Sequence, residues 1–541
     1  MEPISFRTPL ALFLISLATI AAVWWWLATP ITLVRAPIDP NAKLQCVSYA
    51  PFRGAQSPLV EGTHITAQQI AEDMAQLAKV TDCVRTYSTE NGLDQVPAQA
   101  ARQGLKVIQG IWLGSNRFKN LAGIATAVQL VKDYPGTITS LVVGNEVLLR
   151  GEMTIADLVA NIRSVKAQVT VPITYADVWE FWLKNRELYE AVDFVTIHIL
   201  PYWEDFPIKA KFAASHVDSI RKRMAVAFPG KEILIGETGW PSQGRMREGA
   251  LPSRTSQARV VSEILDTAAR EGFRVNLIEA YDQPWKRQLE GTVGGYWGLF
   301  DAFQRDVKYP PGIAISNFPA WKLMMGCGMA LSAFTFLAAI LTLRRRPWTP
   351  RLVAWIAVAI SATTAGCLLG IAADKMYYES YGAGGWLKWG ALLAAAIASP
   401  LLCAHAQMTG RPLPALLELL GPYDRRDRSV LTALLAFVLA VTAVIGAETA
   451  LGFAFDPRYR DFPYASLTMA VVPFMGLMVL NRPALGTRPI AESVFAGLFA
   501  IAAVYVAINE GRDNWQSLWT CAIYLLFALT LWRARAEQNP K

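Results

Sequence analysis

The sequence predicts an α/β protein: a (β/α)8 TIM barrel held outside the cytoplasm, joined to an all-α region that crosses a membrane repeatedly. Three observations predict it. Short β-rich runs alternate with amphipathic helical stretches eight times between residues 44 and 281. The first run leads into SYAPFRG rather than a Gly-rich phosphate loop, which favours a barrel over a doubly wound sheet. The chain has 541 residues, 53% of them hydrophobic and only 17% charged, too apolar for a wholly soluble protein.

Residues 9–29 form an apolar run with Trp24, Trp25 and Trp26 near its far end, long enough to span a bilayer. A cleaved signal peptide would have a shorter apolar stretch and a small-x-small site, so residues 1–35 read as a retained anchor. Residues 36–315 contain no spanning run. Strands are expected at 44–49, 83–87, 106–111, 140–144, 172–176, 193–197, 232–236 and 275–281, with amphipathic segments such as Ala67–Ala78 and Ile155–Gln168 between them. From residue 320 the character changes. Spans are expected at about 322–343, 352–373, 387–407, 429–451, 464–481, 490–509 and 515–532, making residues 316–541 a polytopic domain. Residues 412–428, around Leu416–Leu420, read as an interfacial helix.

Alternate loops differ in basic charge. One set holds Arg344–Arg346, Arg351, Arg411, Arg425, Arg426, Arg428, Arg482, Arg488, Arg533 and Arg535. The other holds Lys375, Lys388, Arg458, Arg460 and Arg512. The first set is expected inside, which puts both termini in the cytoplasm and the barrel outside. In a Gram-negative cell that means the inner membrane and the periplasm. The net charge of +8 is thus a membrane-loop signature, and nucleic acid is not an expected partner.

The six cysteines show no CxxC pair, and His64, His198, His216 and His405 are scattered, so neither a metal nor an organic cofactor is expected. Cys46 and Cys83 fall at the starts of neighbouring strands. They read equally well as a disulfide in an oxidising compartment or as two buried thiols. Cys327, Cys367, Cys403 and Cys521 lie in apolar segments, where cysteine packs as a small hydrophobe.

Barrel sites form where strands end. Strand four runs into Gly144-Asn145-Glu146 and strand seven into Gly236-Glu237-Thr238-Gly239-Trp240-Pro241-Ser242. Two carboxylates at one mouth suit glycosidic bond cleavage: one protonates the leaving oxygen, and the other attacks or stabilises the anomeric carbon. A single glutamate there reads either as catalytic or as a helix cap; two, with Trp240 adjacent, favour the catalytic reading. Asn145 is placed to bond a sugar hydroxyl. His198 reads either as orienting a hydroxyl or carboxylate, or as a satisfied core histidine. Tyr87, Trp112, Tyr175, Trp179, Tyr202, Trp203, Trp240, Tyr281, Trp285 and Trp297 lie at or beyond strand ends, and about half are expected to stack on sugar rings. Tyr87, Tyr202, Trp240 and Trp285 are the first choices.

The segments VRTYS (84–88), VVGNE (142–146), HILPYWED (198–205), GETGWPS (236–242) and EAYDQPWK (279–286) resemble glycoside hydrolase family 17, the β-1,3-glucanases and glucan transglycosylases, along most of residues 44–312. The resemblance implies Glu146 as acid/base, Glu237 as nucleophile, retention of configuration, and carboxyl groups about 5 Å apart. It implies that Glu279, Tyr281, Asp282, Trp285 and Lys286 help bind a β-glucan. Gln283 departs from the acidic residue of plant members, and EAYDQPWK is closer to the fungal and bacterial branch, where transglycosylation is common. The sequence has no Walker loop, DxD or QxxRW, so synthesis from a nucleotide sugar is not expected. A barrel with a polytopic tail resembles the bacterial branch that adds β-1,6 links in cyclic glucan synthesis. Transfer is therefore expected, with an endo-β-1,3-glucanase as the alternative. A third reading gives the tail the main role, as a glucan exporter or a docking subunit for a glucan synthase, with Glu448 and Glu492 as its charged candidates.

Overall fold

The structure is a computed structural model that describes residues 7–39, 41–344, 352–416, 419, 429–481, 486–487, 489–534 and 536–537. It divides into two compact units, one of Pro30–Ile315 and the other of Met1–Thr29 with Ser316–Lys541.

The first unit is a closed parallel barrel of β1 (Cys46–Ser48), β2 (Cys83–Arg85), β3 (Lys106–Ile111), β4 (Ile138–Asn145), β5 (Ile173–Val178), β6 (Val195–His198), β7 (Ile233–Thr238) and β8 (Val275–Leu277). Every strand expected from the sequence is present. Closure comes from pairing Cys46 with Asn276 and Val47 with Leu277. Side chains alternate along each strand. One set, including Val47, Val84, Val107, Leu141, Val195, Ile235 and Val275, joins the large core under the helices. The other, Cys46, Cys83, Ile108, Val142, Ala176 and Leu234 with Phe194, forms a separate apolar plug inside the barrel. Cys46 and Cys83 are joined by a disulfide between β1 and β2, resolving the two readings left open by the sequence.

The helices follow their capping signals. Thr66, Asn116, Thr154 and Ser253 each accept a backbone N–H in the first turn of the helix they precede. Leu158, Ile162 and Val165 put one face of Ile155–Lys166 onto the barrel. At the foot of the unit, Ile31–Thr32 pairs antiparallel with Ala314–Ile315, bringing the two ends of the domain together.

Among the described residues, the second unit holds seven helices long and apolar enough to cross a membrane: Arg7–Leu27, Trp321–Leu343, Leu352–Glu379, Gly382–Thr409, Val430–Phe455, Ile490–Glu510 and Trp515–Trp532. Tyr464–Leu480 is a shorter apolar helix of 17 residues. Arg7–Leu27 is packed into this bundle through small residues. A Cβ on Gly366 would meet Ile20 at 2.4 Å, and one on Gly370 would meet the Trp24 ring at 2.6 Å, so glycine is what allows the close approach. Glu448 pairs with Lys388 at 2.7 Å, and buried Glu492 accepts from the Leu416 N–H at 2.6 Å. Arg345, Arg346, Arg351, Arg425, Arg426, Arg428, Arg482, Arg488 and Arg535, on which the orientation argument leans, lie outside the described residues, as does most of the expected helix at 412–428.

Candidate active site

The plug leaves the upper barrel free for polar groups, and the strand ends β2, β4, β6 and β7 fill it. Their registers shift between Val142 and Asn145, between Ile197 and His198, and between Ile235 and Thr238. Such irregularities re-aim side chains where a ladder ends. Glu146 follows immediately at φ +53°, a left-handed conformation that costs a non-glycine residue about 1–3 kcal/mol. Its N–H is held by the Ala176 carbonyl at 2.8 Å.

Arg85, fully buried at the end of β2, organises the centre. Its Nη1 donates to the Gly236 carbonyl at 2.8 Å and to Glu237 Oε1 at 3.1 Å, and its Nη2 donates to Asn145 Oδ1 at 2.5 Å. Holding Asn145 by its oxygen leaves the amide nitrogen as the end able to donate. Tyr87 also donates to Glu237 Oε1, at 2.8 Å, while its own oxygen lies 2.9 Å from Ser48 Oγ. Burial, and after it the Glu237 charge, pushes the Tyr87 hydroxyl well above its ordinary pKa, so it stays a donor.

His198 sits between the two glutamates with no solvent exposure. Nδ1 is 2.7 Å from Glu146 Oε1, and Nε2 is 3.6 Å from Glu237 Oε1. Burial would raise the Glu146 pKa, but the His198 bond and the nearby Arg85 and Arg150 charges outweigh it and hold the carboxyl below its usual value. Gly236 makes room for the ring: a Cβ there would meet Thr196 Cγ2 at 2.3 Å and His198 Cδ2 at 3.3 Å. Asp177, on β5, accepts from the Tyr175 hydroxyl and from the Val178 N–H, and burial raises its pKa to about 6.

One oxygen each of Glu146 and Glu237 and one nitrogen of His198 lie within 4.8 Å of one another. Scattered in sequence, these three form the one cluster with metal-ligand geometry among the described residues. At Glu237, however, the Arg85 guanidinium already supplies the positive charge.

Around this centre the expected binding residues divide. Asn145, Tyr87 and His198 are in it. Trp285 is half-buried, its Nε1 donating to Gln283 Oε1 at 2.8 Å, while buried Gln283 donates to the Ala50 carbonyl. Glu279 is buried, with both oxygens 2.8 Å from Lys286 Nζ; burial raises its pKa to about 7 despite that ion pair. Asp282 is also buried, taking Lys308 Nζ at 2.6 Å and the Gly298 N–H at 2.9 Å. Both carboxylates are occupied by lysines rather than open to a ligand.

Three aromatic expectations are overturned. Tyr202, Trp240 and Tyr281 are fully buried and offer no ring face to a sugar. Tyr202 packs edge-on against Trp203, Trp240 and Trp297 and donates to the Arg245 carbonyl. Trp240 donates to the Leu251 carbonyl, and Tyr281 donates to Gln76 beneath the Arg305 guanidinium. Trp112, lower in the expected order, is the exposed one at 41%. The Arg150 guanidinium stacks on its ring at 4.1 Å and is itself held by the Asn145 and Leu113 carbonyls.

Sequence reasoning passed over Arg85 and Asp177 as site residues. A signal existed for each: a charged residue standing in an otherwise apolar strand, at the end that faces the mouth.

Residues 46–298 match the BtgE/BtgC glycoside hydrolase domain family. The chain is 25% identical over 272 residues to a glucan 1,3-β-glucosidase of Saccharomyces cerevisiae, covering 46% of this chain and 86% of that protein. It is 28% identical over 241 residues to a "Probable beta-glucosidase btgE" of Aspergillus fumigatus, covering 43% of this chain and 42% of that protein, so it spans under half of that relative's length. Among solved structures, a family 17 β-1,3-glucanosyltransferase of Rhizomucor miehei is similar, with 22% identity and a TM-score of 0.44 over 50% of this chain and 96% of that one.

Proposed function

We propose, from the match of residues 46–298 to the BtgE/BtgC glycoside hydrolase domain family, that the protein is a membrane-anchored retaining β-glucan transglycosylase. It acts on β-1,3-glucan and forms new β-1,6 or β-1,3 links. The observation that carries the reading is the pair of glutamate oxygens within 4.8 Å at the barrel mouth, one of them gripped by Arg85 and Tyr87. Retaining enzymes hold their carboxyl groups about 5–5.5 Å apart, and inverting enzymes about 6.5–9.5 Å.

In this reading Glu237 Oε2, the oxygen not held by Arg85 and Tyr87, attacks the anomeric carbon while Glu146 gives a proton to the leaving oxygen. Arg85 and Tyr87 hold the other oxygen and aim the carboxylate. Asn145 offers its amide nitrogen to a hydroxyl beside the reacting carbon. Glu146 then takes a proton from the acceptor. A sugar acceptor gives transfer, and water gives an endo-β-1,3-glucanase. Transfer is favoured by the resemblance of EAYDQPWK to the transglycosylating branch.

The apolar helices suit an inner-membrane protein with both termini cytoplasmic and the barrel periplasmic. Their role is anchoring or docking onto a glucan synthase. Labelling of single introduced cysteines from either side of intact cells tests the orientation; a barrel label that requires cell lysis contradicts it.

The activity test uses the full chain in detergent with defined β-1,3-glucan oligosaccharides, and Glu237→Gln alongside. Products longer than the substrate, with linkage analysis showing new β-1,6 or β-1,3 bonds, support transfer. Only shorter products make it a hydrolase. Turnover surviving in Glu237→Gln removes the proposed mechanism.

A further inference from the structure

Two polar side chains inside the barrel have no part in the reaction so far. Ser48 ends β1 and Asn276 stands on β8, and neither has any solvent exposure. Asn276 pairs in register with Cys46, and Ser48 lies two residues beyond Cys46 on the same strand. Both therefore point inward, at the level where the apolar plug gives way to polar groups. Buried polar groups are costly unless they are paired, so their partners carry information.

Counting donors fixes the direction of each bond. Asn276 Nδ2 lies 2.6 Å from the Gly236 carbonyl, which can only accept, so this end of the amide is the nitrogen. Its other hydrogen goes to Ser48 Oγ at 2.8 Å. Asn276 Oδ1 has no hydrogen-bond partner among the described residues, so the side chain is held by its two donors alone. Ser48 Oγ stands 2.9 Å from the Tyr87 hydroxyl oxygen, which stands 2.8 Å from Glu237 Oε1. Each hydroxyl has one proton to give. Ser48 cannot give its proton back to the Asn276 nitrogen, so it gives it to Tyr87. Tyr87, already accepting from Ser48, gives its own to the carboxylate.

We propose that Ser48 and Asn276 are positioning residues, the first two members of a one-way hydrogen-bond chain that runs from Asn276 through Ser48 and Tyr87 to Glu237. The proposal rests on the reading of Glu237 as nucleophile. The chain draws on β8, β1 and the segment after β2 and ends on β7, so only the closed barrel assembles it. It reaches Oε1, the oxygen that does not attack. Each donor in such a chain polarises the next, and the fixed direction leaves the Tyr87 proton no other acceptor. The demand on it is greatest when the glycosyl-enzyme breaks down and Glu237 regains its charge. Ser48 acts on Glu237 only through the Tyr87 oxygen, so its contribution vanishes when that oxygen is absent.

The test is a double-substitution cycle in the full-length protein: wild type, Ser48→Ala, Tyr87→Phe and the two combined. The substrate is 2,4-dinitrophenyl β-laminaribioside, whose activated leaving group makes breakdown of the glycosyl-enzyme the slow step. Ser48→Ala is expected to keep the initial burst and to lose about 3–10-fold in the steady rate, the size of one neutral hydrogen bond. In the Tyr87→Phe background the same substitution is expected to change the steady rate by less than about twofold. A loss of equal size in both backgrounds overturns the proposal, because a general loosening of the barrel does not depend on the Tyr87 oxygen. A steady rate within about twofold of wild type in Ser48→Ala alone overturns it as well. If alanine unfolds the barrel, Ser48→Cys fills the same space with a weak donor and carries the same expectation and the same refutations. Turnover surviving in Glu237→Gln, run alongside, instead overturns the underlying reading.

Discussion

Tyr87→Phe removes a single oxygen from the surroundings of Glu237, the proposed nucleophile, and little else. The hydroxyl donates to Glu237 Oε1 at 2.8 Å, and the ring, half-buried, keeps its place beside the Arg85 guanidinium 4.8 Å from its centre. Arg85 still holds the same oxygen at 3.1 Å, so the carboxylate is weakened rather than abandoned. A hydrogen bond to a charged partner contributes about 1.5–3 kcal/mol. At 1.36 kcal/mol per decade that is roughly 10–150-fold. Its effect falls unevenly on the two chemical steps. In the first, Glu237 gives up charge as it attacks, so losing a donor makes it a stronger nucleophile while loosening its aim. In the second, Glu237 leaves as a carboxylate, and the missing donor raises that barrier directly. With 2,4-dinitrophenyl β-laminaribioside, whose leaving group needs no proton, pre-steady-state release is expected to show a burst approaching one equivalent per enzyme, followed by a steady rate about 10–150-fold below wild type. The glycosyl-enzyme should accumulate and be visible as an added sugar mass on Glu237. A steady rate within twofold of wild type would refute the reasoning, and so would a slowed first step with no burst.

Replacing Cys46 and Cys83 together by alanine removes a cross-link of sequence separation 37, worth about 4 kcal/mol on loop entropy, and calorimetry should show the barrel transition lowered, as should treatment with reductant. Asp177 has a folded pKa of about 6 against an unfolded 3.8, so the folded barrel binds the proton more tightly and stability falls as pH rises through that window, by about 3 kcal/mol. Asp177→Asn should flatten the fall in melting temperature between pH 4 and 6; an unchanged slope excludes Asp177 as its source. Gly236→Ala drives a methyl to 2.3 Å from Thr196 Cγ2 and onto the His198 ring, so a loss of about 1–3 kcal/mol in stability and a larger loss of activity are expected from denaturation and rate measurements. Trp112→Ala should raise KM for longer oligosaccharides about 10-fold with little change in kcat, since a stacking platform binds ground and transition states alike.

The strands were legible because their neighbours repeat: a short β-rich run and an amphipathic helix, again and again, have one economical closure. The long apolar helices were legible because bilayer thickness sets a length that an apolar run either meets or does not. Glu146 and Glu237 stood out because each directly ends a strand at the mouth. The aromatic residues misled for a physical reason. Position after a strand says which end of the barrel a ring occupies, not whether it turns toward the groove or back under the loops. Tyr202, Trp240 and Tyr281 turn back, because packing rings on one another buries more apolar surface than a solvated groove does.

What the sequence by itself determined is therefore local and periodic: eight strands, the apolar helices, and two glutamates at strand ends. What only the tertiary structure decided is the company those glutamates keep. Arg85, Asn145, His198 and Glu237 stand on four different strands up to 152 positions apart, and closing the barrel buries them within reach of one another or of Glu146. Burial there turns an arginine, a tyrosine and a histidine into partners of two carboxylates, because charges removed from water must find one another.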